Sequence, residues 1–203
     1  MAITSKYSVI NIRRYLKNDN PKIGEDRLLQ VLSGFSCPKN PDLEHFLKNS
    51  SIEFTKKNQS VTYLVFSKEN GVLLGHFTMA LKSLTVRGET VSKTMKRKLL
   101  RISELDEKSD TYTMAAYLIA QLGKNYAEGM EKKITGAELL ELAWGIIERM
   151  QYMGGGLVVF LEANNDEKLL SFYNTNRFAQ FDTRLTTSNL ENQYELIQLL
   201  RLL

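Results

Sequence analysis

The stretch that decides the fold runs from residue 112 to 178: the apolar run YTMAAYLIAQL (112–122), a polar loop GKNYAEGMEKK (123–133), the segment ITGAELLELAWGIIERM (134–150), then LVVFLEA (157–163) and EKLLSFYNTNRF (167–178). The first run is rich in branched and aromatic residues and reads as a strand. In the third, Leu139, Leu140, Ala143, Trp144, Ile146, Ile147 and Met150 keep to one helical face while Glu138, Glu141, Glu148 and Arg149 lie elsewhere. A long helix is therefore predicted, ended by Gly154, Gly155 and Gly156. LVVFLEA is short, apolar and without polar alternation, as suits a strand buried on both faces. Strand, helix and strand in succession imply a parallel pair.

Working outward, YSVINIRRYL (7–16) reads as a strand and Gly24 to Leu32 as a helix. A second helix is predicted from Asn40-Pro41, a capping residue followed by a proline suited to the first helical position, with Leu43, Phe46, Leu47 and Phe54 on one face. VTYLVFS (61–67) and VLLGHFTMAL (72–81) flank Asn70-Gly71 and form the clearest hairpin signal in the chain. FAQFDTRL (178–185) and YELIQLLRLL (194–203) complete the pattern, the last open between strand and helix. A hairpin followed by a strand-helix-strand unit predicts an α/β (α+β) fold with a mixed sheet covered by helices.

The 203 residues contain 27 basic and 23 acidic side chains, two histidines and one cysteine, with no apolar run near the roughly 20 residues that span a bilayer. A membrane-spanning protein, a disulfide scaffold and a disordered tail are excluded on these grounds, and a single domain over residues 1–203 in a reducing cytoplasm is expected. The charge is uneven. Residues 1–100 carry 17 basic and 8 acidic groups, a net +9, against 10 and 15, a net −5, over residues 101–203. The densest basic run is Lys93, Lys96, Arg97, Lys98 and Arg101, which reads either as a solvated helix face or as attraction for a phosphate-bearing partner such as RNA.

Two constellations carry chemistry. Thr135 and Glu138 form the S/T-x-x-E pattern of a capping box, which places a helix N-terminus at Thr135 with Gly136 and Ala137 as small first-turn residues and Lys132 and Lys133 directly before it. Free backbone N–H groups and the positive end of the helix dipole suit a pyrophosphate there; the alternative is a well-capped helix with two solvated lysines. In LLSFYNTNRF, Tyr173 lies one position round from Phe172 and is either a core-edge packing residue or a phenolic proton donor. Cys37 has no partner pattern, and His45 and His76 stand apart and read as structural. Neither a nucleophile triad, a metal-binding motif nor a phosphate loop of the Walker type is present, so no metal is expected.

Together these segments resemble the GNAT superfamily of acetyl-CoA-dependent N-acetyltransferases, most strongly from Tyr117 to Phe181. YLIAQLGKN matches that family's central strand, and EKKITG matches its Q/R-x-x-G-x-G/A loop, with Gly136 as the last glycine and Leu139, Leu140 and Ala143 in the expected places. Glu131 and Ile134 depart from the pattern at the Gln/Arg and first-glycine positions. The family's N-x-x-A-x-x-x-Y-x-x-x-G-F helix is matched by Asp166, Leu169, Tyr173, Arg177 and Phe178, with Asn165 one residue from the Asn position and Arg177 in place of the glycine.

The resemblance implies a mostly antiparallel central sheet whose one parallel pair splays into a V-shaped slot for acetyl-CoA. It implies thioester contacts from the backbone at Leu122, Gly123 and Lys124, and a pyrophosphate held by Lys132, Lys133, Ile134, Thr135, Gly136 and Ala137. Asn165, Asp166 and Leu169 would complete the cofactor site, and Tyr173 would protonate the leaving thiolate after direct attack by a primary amine. The base is not identified; Glu162 is a candidate for it or for a role in the fold. The acceptor is open between a small molecule, a peptide and aminoacyl-tRNA, the last as in toxin-type members of the superfamily. A homodimer is compatible with the sequence. The competing reading is a non-catalytic module of the same fold that binds acyl-CoA or a protein.

Overall fold

The computed structural model describes residues 6–16, 24–186 and 194–203. Strand β1 covers Tyr7–Asn11, after which the chain turns into a short helix α1, Arg13–Leu16. The strand expected over residues 7–16 is thus half as long, because Asn11 Oδ1 accepts the Arg13 N–H (2.9 Å) and starts a turn. Helix α2, Glu25–Ser33, buries Leu28 and Leu32. Helix α3, Pro41–His45, opens as its sequence demands, with Asn40 Oδ1 accepting the Leu43 N–H at 3.1 Å.

α3 passes into a π turn, Phe46–Ser50, and then into helix α4, Ser51–Lys56. The extra residue of a π turn rotates everything downstream by roughly 100°. Leu43 ahead of it, Leu47 within it and Ile52 and Thr55 after it are buried, while Phe54 is 41% exposed and meets Phe46 edge-on. The expected single face of Leu43, Phe46, Leu47 and Phe54 is broken by this turn.

Strands β2 (Val61–Ser67) and β3 (Leu73–Arg87) form the expected hairpin, with Gly71 at φ +70 in its turn. The register skips from Val65↔Gly75 to Phe66↔Leu73, so Leu74 is a bulge. The basic segment is helix α5, Lys93–Leu99, capped by Ser92 and followed by the three-residue strand β4, Glu104–Asp106. Strand β5, Thr111–Lys124, extends past the apolar run to include Gly123 and Lys124. The polar loop then holds a 3-10 segment, Ala127–Lys132, before the long helix α6, Gly136–Gly154. Strand β6 (Val158–Asn164), helix α7 (Glu167–Thr175) and strands β7 (Ala179–Leu185) and β8 (Glu195–Leu202) follow. The last segment is therefore a strand, and it lies between β6 and β7.

The hydrogen-bonded strand order is β1-β2-β3-β5-β6-β8-β7, with β4 on β5. The pairs β1–β2, β2–β3, β4–β5, β6–β8 and β7–β8 are antiparallel, whereas β5 and β6 are parallel through Tyr117↔Val159 and Leu118↔Phe160. This is a mixed, mostly antiparallel sheet flanked by helices. By contact density the chain forms two interleaved compact units, Met1–Ala80 with Ala120–Met150, and Leu81–Ile119 with Gln151–Leu203. The first packs Leu28, Leu32 and Phe35 with Leu43, Leu47 and Leu64. The second packs Val86, Leu99 and Met114 with Val158, Phe160 and Phe181. Among the described residues no helix is long and apolar enough to cross a membrane.

Candidate active site

In the first unit the start of α6 is built by a reciprocal cap. Glu138 Oε2 accepts the Thr135 N–H (2.9 Å), and Thr135 Oγ1 accepts the Glu138 N–H (3.1 Å). The Glu138 side chain folds onto the cap, and the Thr135 N–H, then its hydroxyl, hold its carboxyl below the usual carboxylate range. Leu139 N–H reaches the Thr135 carbonyl (3.1 Å). No described partner takes the N–H groups of Gly136 and Ala137, the first-turn donors that the motif predicts for an anion.

Ile134, at the first-glycine position of the resembled motif, is 1% exposed. A core side chain thus anchors the loop where a glycine would leave it free to bend. Lys132 and Lys133 project to a pocket of about 770 Å³ that also has Lys6, Ser67 and Lys68 on its wall. The Tyr7 hydroxyl donates to the Lys133 carbonyl (3.2 Å), and burial, then Glu138, push its phenol up to about 12.

The C-terminal end of β5 is held by a residue that local sequence reading passes over. Asn125, 3% exposed, donates its amide to the carbonyls of Gly34 (3.2 Å) and Leu73 (2.9 Å), and its Oδ1 accepts the Ser36 N–H (2.9 Å) and the Ala127 N–H (3.0 Å). Every hydrogen-bonding atom of its side chain is used, so it pins the strand end to the chain before α3. An Asn directly after an apolar strand was the available signal, but its partners lie up to 91 positions away. The Lys124 ammonium donates to the Glu131 carbonyl (2.9 Å). Gly123 is covered by Leu43: a Cβ there would lie 2.5 Å from a Leu43 methyl. Leu122 is half-buried.

In the second unit Asp166 caps α7 by accepting the Leu169 N–H (2.8 Å), so its carboxylate is committed to the helix, and Asn165 is exposed. Tyr173 is 7% exposed and meets the rings of Phe172 (5.1 Å) and Phe178 (5.8 Å) edge-on. Burial alone raises its phenol to about 12, and its hydroxyl makes no hydrogen bond to a described residue. Arg177 adopts φ +66 immediately after α7. That conformation favours glycine, which is the residue the resembled motif carries there. Glu162 is held by Arg184 (2.6 and 2.8 Å) and Gln198 (2.9 Å), which gives it a structural role.

His45 is exposed on α3. His76 is fully buried against Phe35 with neither ring nitrogen hydrogen-bonded, and desolvation holds it down at about 3, in its neutral form. Among the described residues there is no cluster of His, Cys, Asp and Glu able to hold a metal.

No family model and no curated protein sequence matches this chain. Solved structures do. One is AtaT complexed with acetyl-methionyl-tRNAfMet, at 16% identity, TM-score 0.61, covering 94% of this chain and 93% of that one. Another is a tyrosine-to-phenylalanine mutant of KacT, at 16% identity, TM-score 0.63, covering 97% and 95%. A third is AtaTR bound with acetyl-CoA, at 14% identity, TM-score 0.56, covering 98% and 94%. This chain shares the fold of these AtaT and KacT structures over nearly its full length.

Proposed function

We propose that the chain is an acetyl-CoA-dependent N-acetyltransferase working by direct transfer. What supports the reading is the likeness in fold to a structure holding acetyl-CoA, combined with a single buried tyrosine on the helix that follows β6. In this reading the free N–H groups of Gly136 and Ala137 hold the pyrophosphate, and Lys132 and Lys133 add positive field. Backbone from Leu122 to Lys124 faces the thioester, and Asn165, Asp166 and Leu169 border the cofactor.

The acceptor amine attacks the thioester carbonyl, the C–S bond breaks, and the amine loses one proton as the thiolate gains one. Tyr173, at about 12, stays protonated at every working pH. A thiol ionises near about 8.5, so complete proton transfer from the phenol is uphill, and Tyr173 acts chiefly by donating a hydrogen bond to the departing sulfur. The net proton comes from the amine.

An aminoacyl-tRNA is the acceptor we favour, supported by the product-bound AtaT complex and by the net +9 of residues 1–100. Ile134, buried where the resembled loop has glycine, favours a second reading, a non-catalytic acyl-CoA-binding module. Calorimetry with acetyl-CoA and turnover of Tyr173→Phe separate the two. The enzyme reading expects unchanged cofactor affinity and turnover lowered by about 100-fold or more. Absence of acetyl-CoA binding at millimolar ligand overturns both readings; binding without turnover on aminoacyl-tRNA or amines supports the module. Loss of charged-tRNA binding at low salt removes RNA as the acceptor.

A further inference from the structure

Strand β2 begins at Val61, opposite Met79, while β3 runs on to Arg87, and the sheet order gives β3 no neighbours but β2 and β5. In the second unit, residues 81–87 of β3 are therefore bonded along one edge only. Two contacts with β5 show which backbone groups face the other edge. The Gly88 N–H donates to the Asp110 carbonyl (2.7 Å), and the hydroxyls of Thr85 and Thr113 meet at 3.0 Å. Both fit one antiparallel register, with Gly88 opposite Asp110 and Thr85 opposite Thr113. Antiparallel pairs alternate between hydrogen-bonded and non-hydrogen-bonded, and side chains approach more closely in the second kind. Leu84 and Val86, in step with Gly88, thus direct their N–H and C=O groups to β5, whereas Leu81, Ser83 and Thr85 turn theirs outward. Among the described residues no loop or turn takes these outward groups; the Arg87 carbonyl, next in the row, accepts from the Thr90 hydroxyl (2.9 Å).

A row of free N–H and C=O groups at strand spacing selects an extended polypeptide, which repeats the same groups at the same interval; a nucleic acid does not. Charge selects among polypeptides. From Leu81 to Arg101 the chain carries seven basic side chains and one acidic, Glu89. Arg87 is paired with Glu89 and Asp182, and Lys96 with Asp110. Among the described residues Lys82, Lys93, Arg97, Lys98 and Arg101 enter no ion pair within 4.0 Å. Lys82 and Arg101 also wall a pocket of about 620 Å³ in this unit, together with Leu81 and Leu100, which are 63% and 50% exposed. A second copy of the chain would bring two such basic edges together and be repelled. We propose that residues 81–85 of β3 are a docking edge for an acidic peptide, which joins the sheet as an added strand, sets carboxylates against Lys82 and Arg101 and lays apolar side chains against Leu81 and Leu100. This site stands independently of the acetyl-transfer reading.

The test uses the full chain and a fluorescent, end-capped heptapeptide of alternating glutamate and valine, with binding read by anisotropy at about 50 and 200 mM salt. Ser83→Pro removes an outward N–H that the fold does not use, a position where an edge strand accepts proline. The same peptide N-methylated along its backbone keeps its charge but cannot donate, so it decides the matter even if Ser83→Pro fails to fold. Binding is expected, more weakly at the higher salt, with affinity lower by at least about tenfold for Ser83→Pro and for the N-methylated peptide. Lys82→Ala/Arg101→Ala should weaken it more than Arg14→Ala/Arg149→Ala, which removes the same charge elsewhere. Absence of peptide binding, undiminished binding of the N-methylated peptide, or equal losses in the two charge variants overturns the proposal. Deacylated tRNA that binds and is weakened by Lys82→Ala/Arg101→Ala, while the peptide does not bind, assigns the surface to RNA and overturns it. Self-association in sedimentation that Ser83→Pro abolishes assigns the edge to a second copy and likewise overturns it.

Discussion

Adding one methyl group to two different glycines of the first unit should move stability in opposite directions. A Cβ at Gly75 on β3 would stand 2.7 Å from the Gly123 carbonyl oxygen and 3.3 Å from a methyl of Leu139. The nearer atom is backbone in a hydrogen-bonded strand and has no rotamer to escape into. Relief therefore requires β5 to shift, and overpacking of this kind costs about 1–3 kcal/mol. For a chain of this length about 1 kcal/mol moves the melting temperature by roughly 2–4 °C. Gly75→Ala should then melt about 4–8 °C lower for a central cost near 2 kcal/mol.

Gly145 offers the contrast: it lies inside α6, and a Cβ there meets nothing within 4 Å. Replacing it by alanine removes the entropic disadvantage of a helical glycine and should stabilise by about 0.5–1 kcal/mol, or roughly 1–4 °C. Thermal and urea unfolding followed by circular dichroism measure both. Below its melting temperature Gly75→Ala should also bind acetyl-CoA more weakly, since the displaced strand is the one proposed to face the thioester, whereas Gly145→Ala should not. Destabilisation of the two variants by equal amounts, or a Gly75→Ala protein as stable as the parent, would refute the close-approach argument.

Three further outcomes are expected. Thr135→Ala removes the reciprocal cap of α6 and should lower stability by about 1 kcal/mol, with Thr135→Ser near the parent in the same melts. Arg177→Gly relieves a positive-φ residue and should raise the melting temperature, by an amount equivalent to about 0.5–1 kcal/mol after the greater freedom of the unfolded glycine is subtracted. His76 is neutral when folded, at about 3 against an unfolded value near 6.5, so unfolding takes up a proton in that window. Its contribution is fully present above pH 6.5 and is lost as pH falls toward about 3, by about 1.4 kcal/mol per pH unit. The stability difference between the parent and His76→Leu, measured by urea unfolding from pH 7 to pH 4, should change with that slope; a difference independent of pH would show that His76 is not held neutral.

Local sequence determined what depends on neighbours in the chain. Asn40-Pro41 opens α3 and Thr135-Gly136-Ala137-Glu138 opens α6, because caps join atoms three residues apart. Asn70-Gly71 closes the β2–β3 hairpin through turn chemistry, and the apolar run after Leu157 forms β6, buried from Val158 to Leu161. Arg177 shows the same logic from the other side, since it adopts φ +66, a conformation that favours glycine, where the resembled motif has one.

Tertiary structure alone decided the features whose partners are distant in sequence. The π turn at Phe46–Ser50 moved Phe54 to the surface, and no periodicity in residues 41–56 announces that rotation. Asn125 ties β5 to Gly34 and Leu73, and the Gly75–Gly123 approach sets the strand spacing there, contacts made only when segments far apart in the chain are brought together. The same holds for the lysine pocket. Lys132 and Lys133 read as flanking charges of a helix start, and only the fold sets Lys6 and Lys68 opposite them. Short-range hydrogen-bonding geometry is written in adjacent residues, whereas the convergence of charge and close packing depends on which distant surfaces the burial of the core brings into contact.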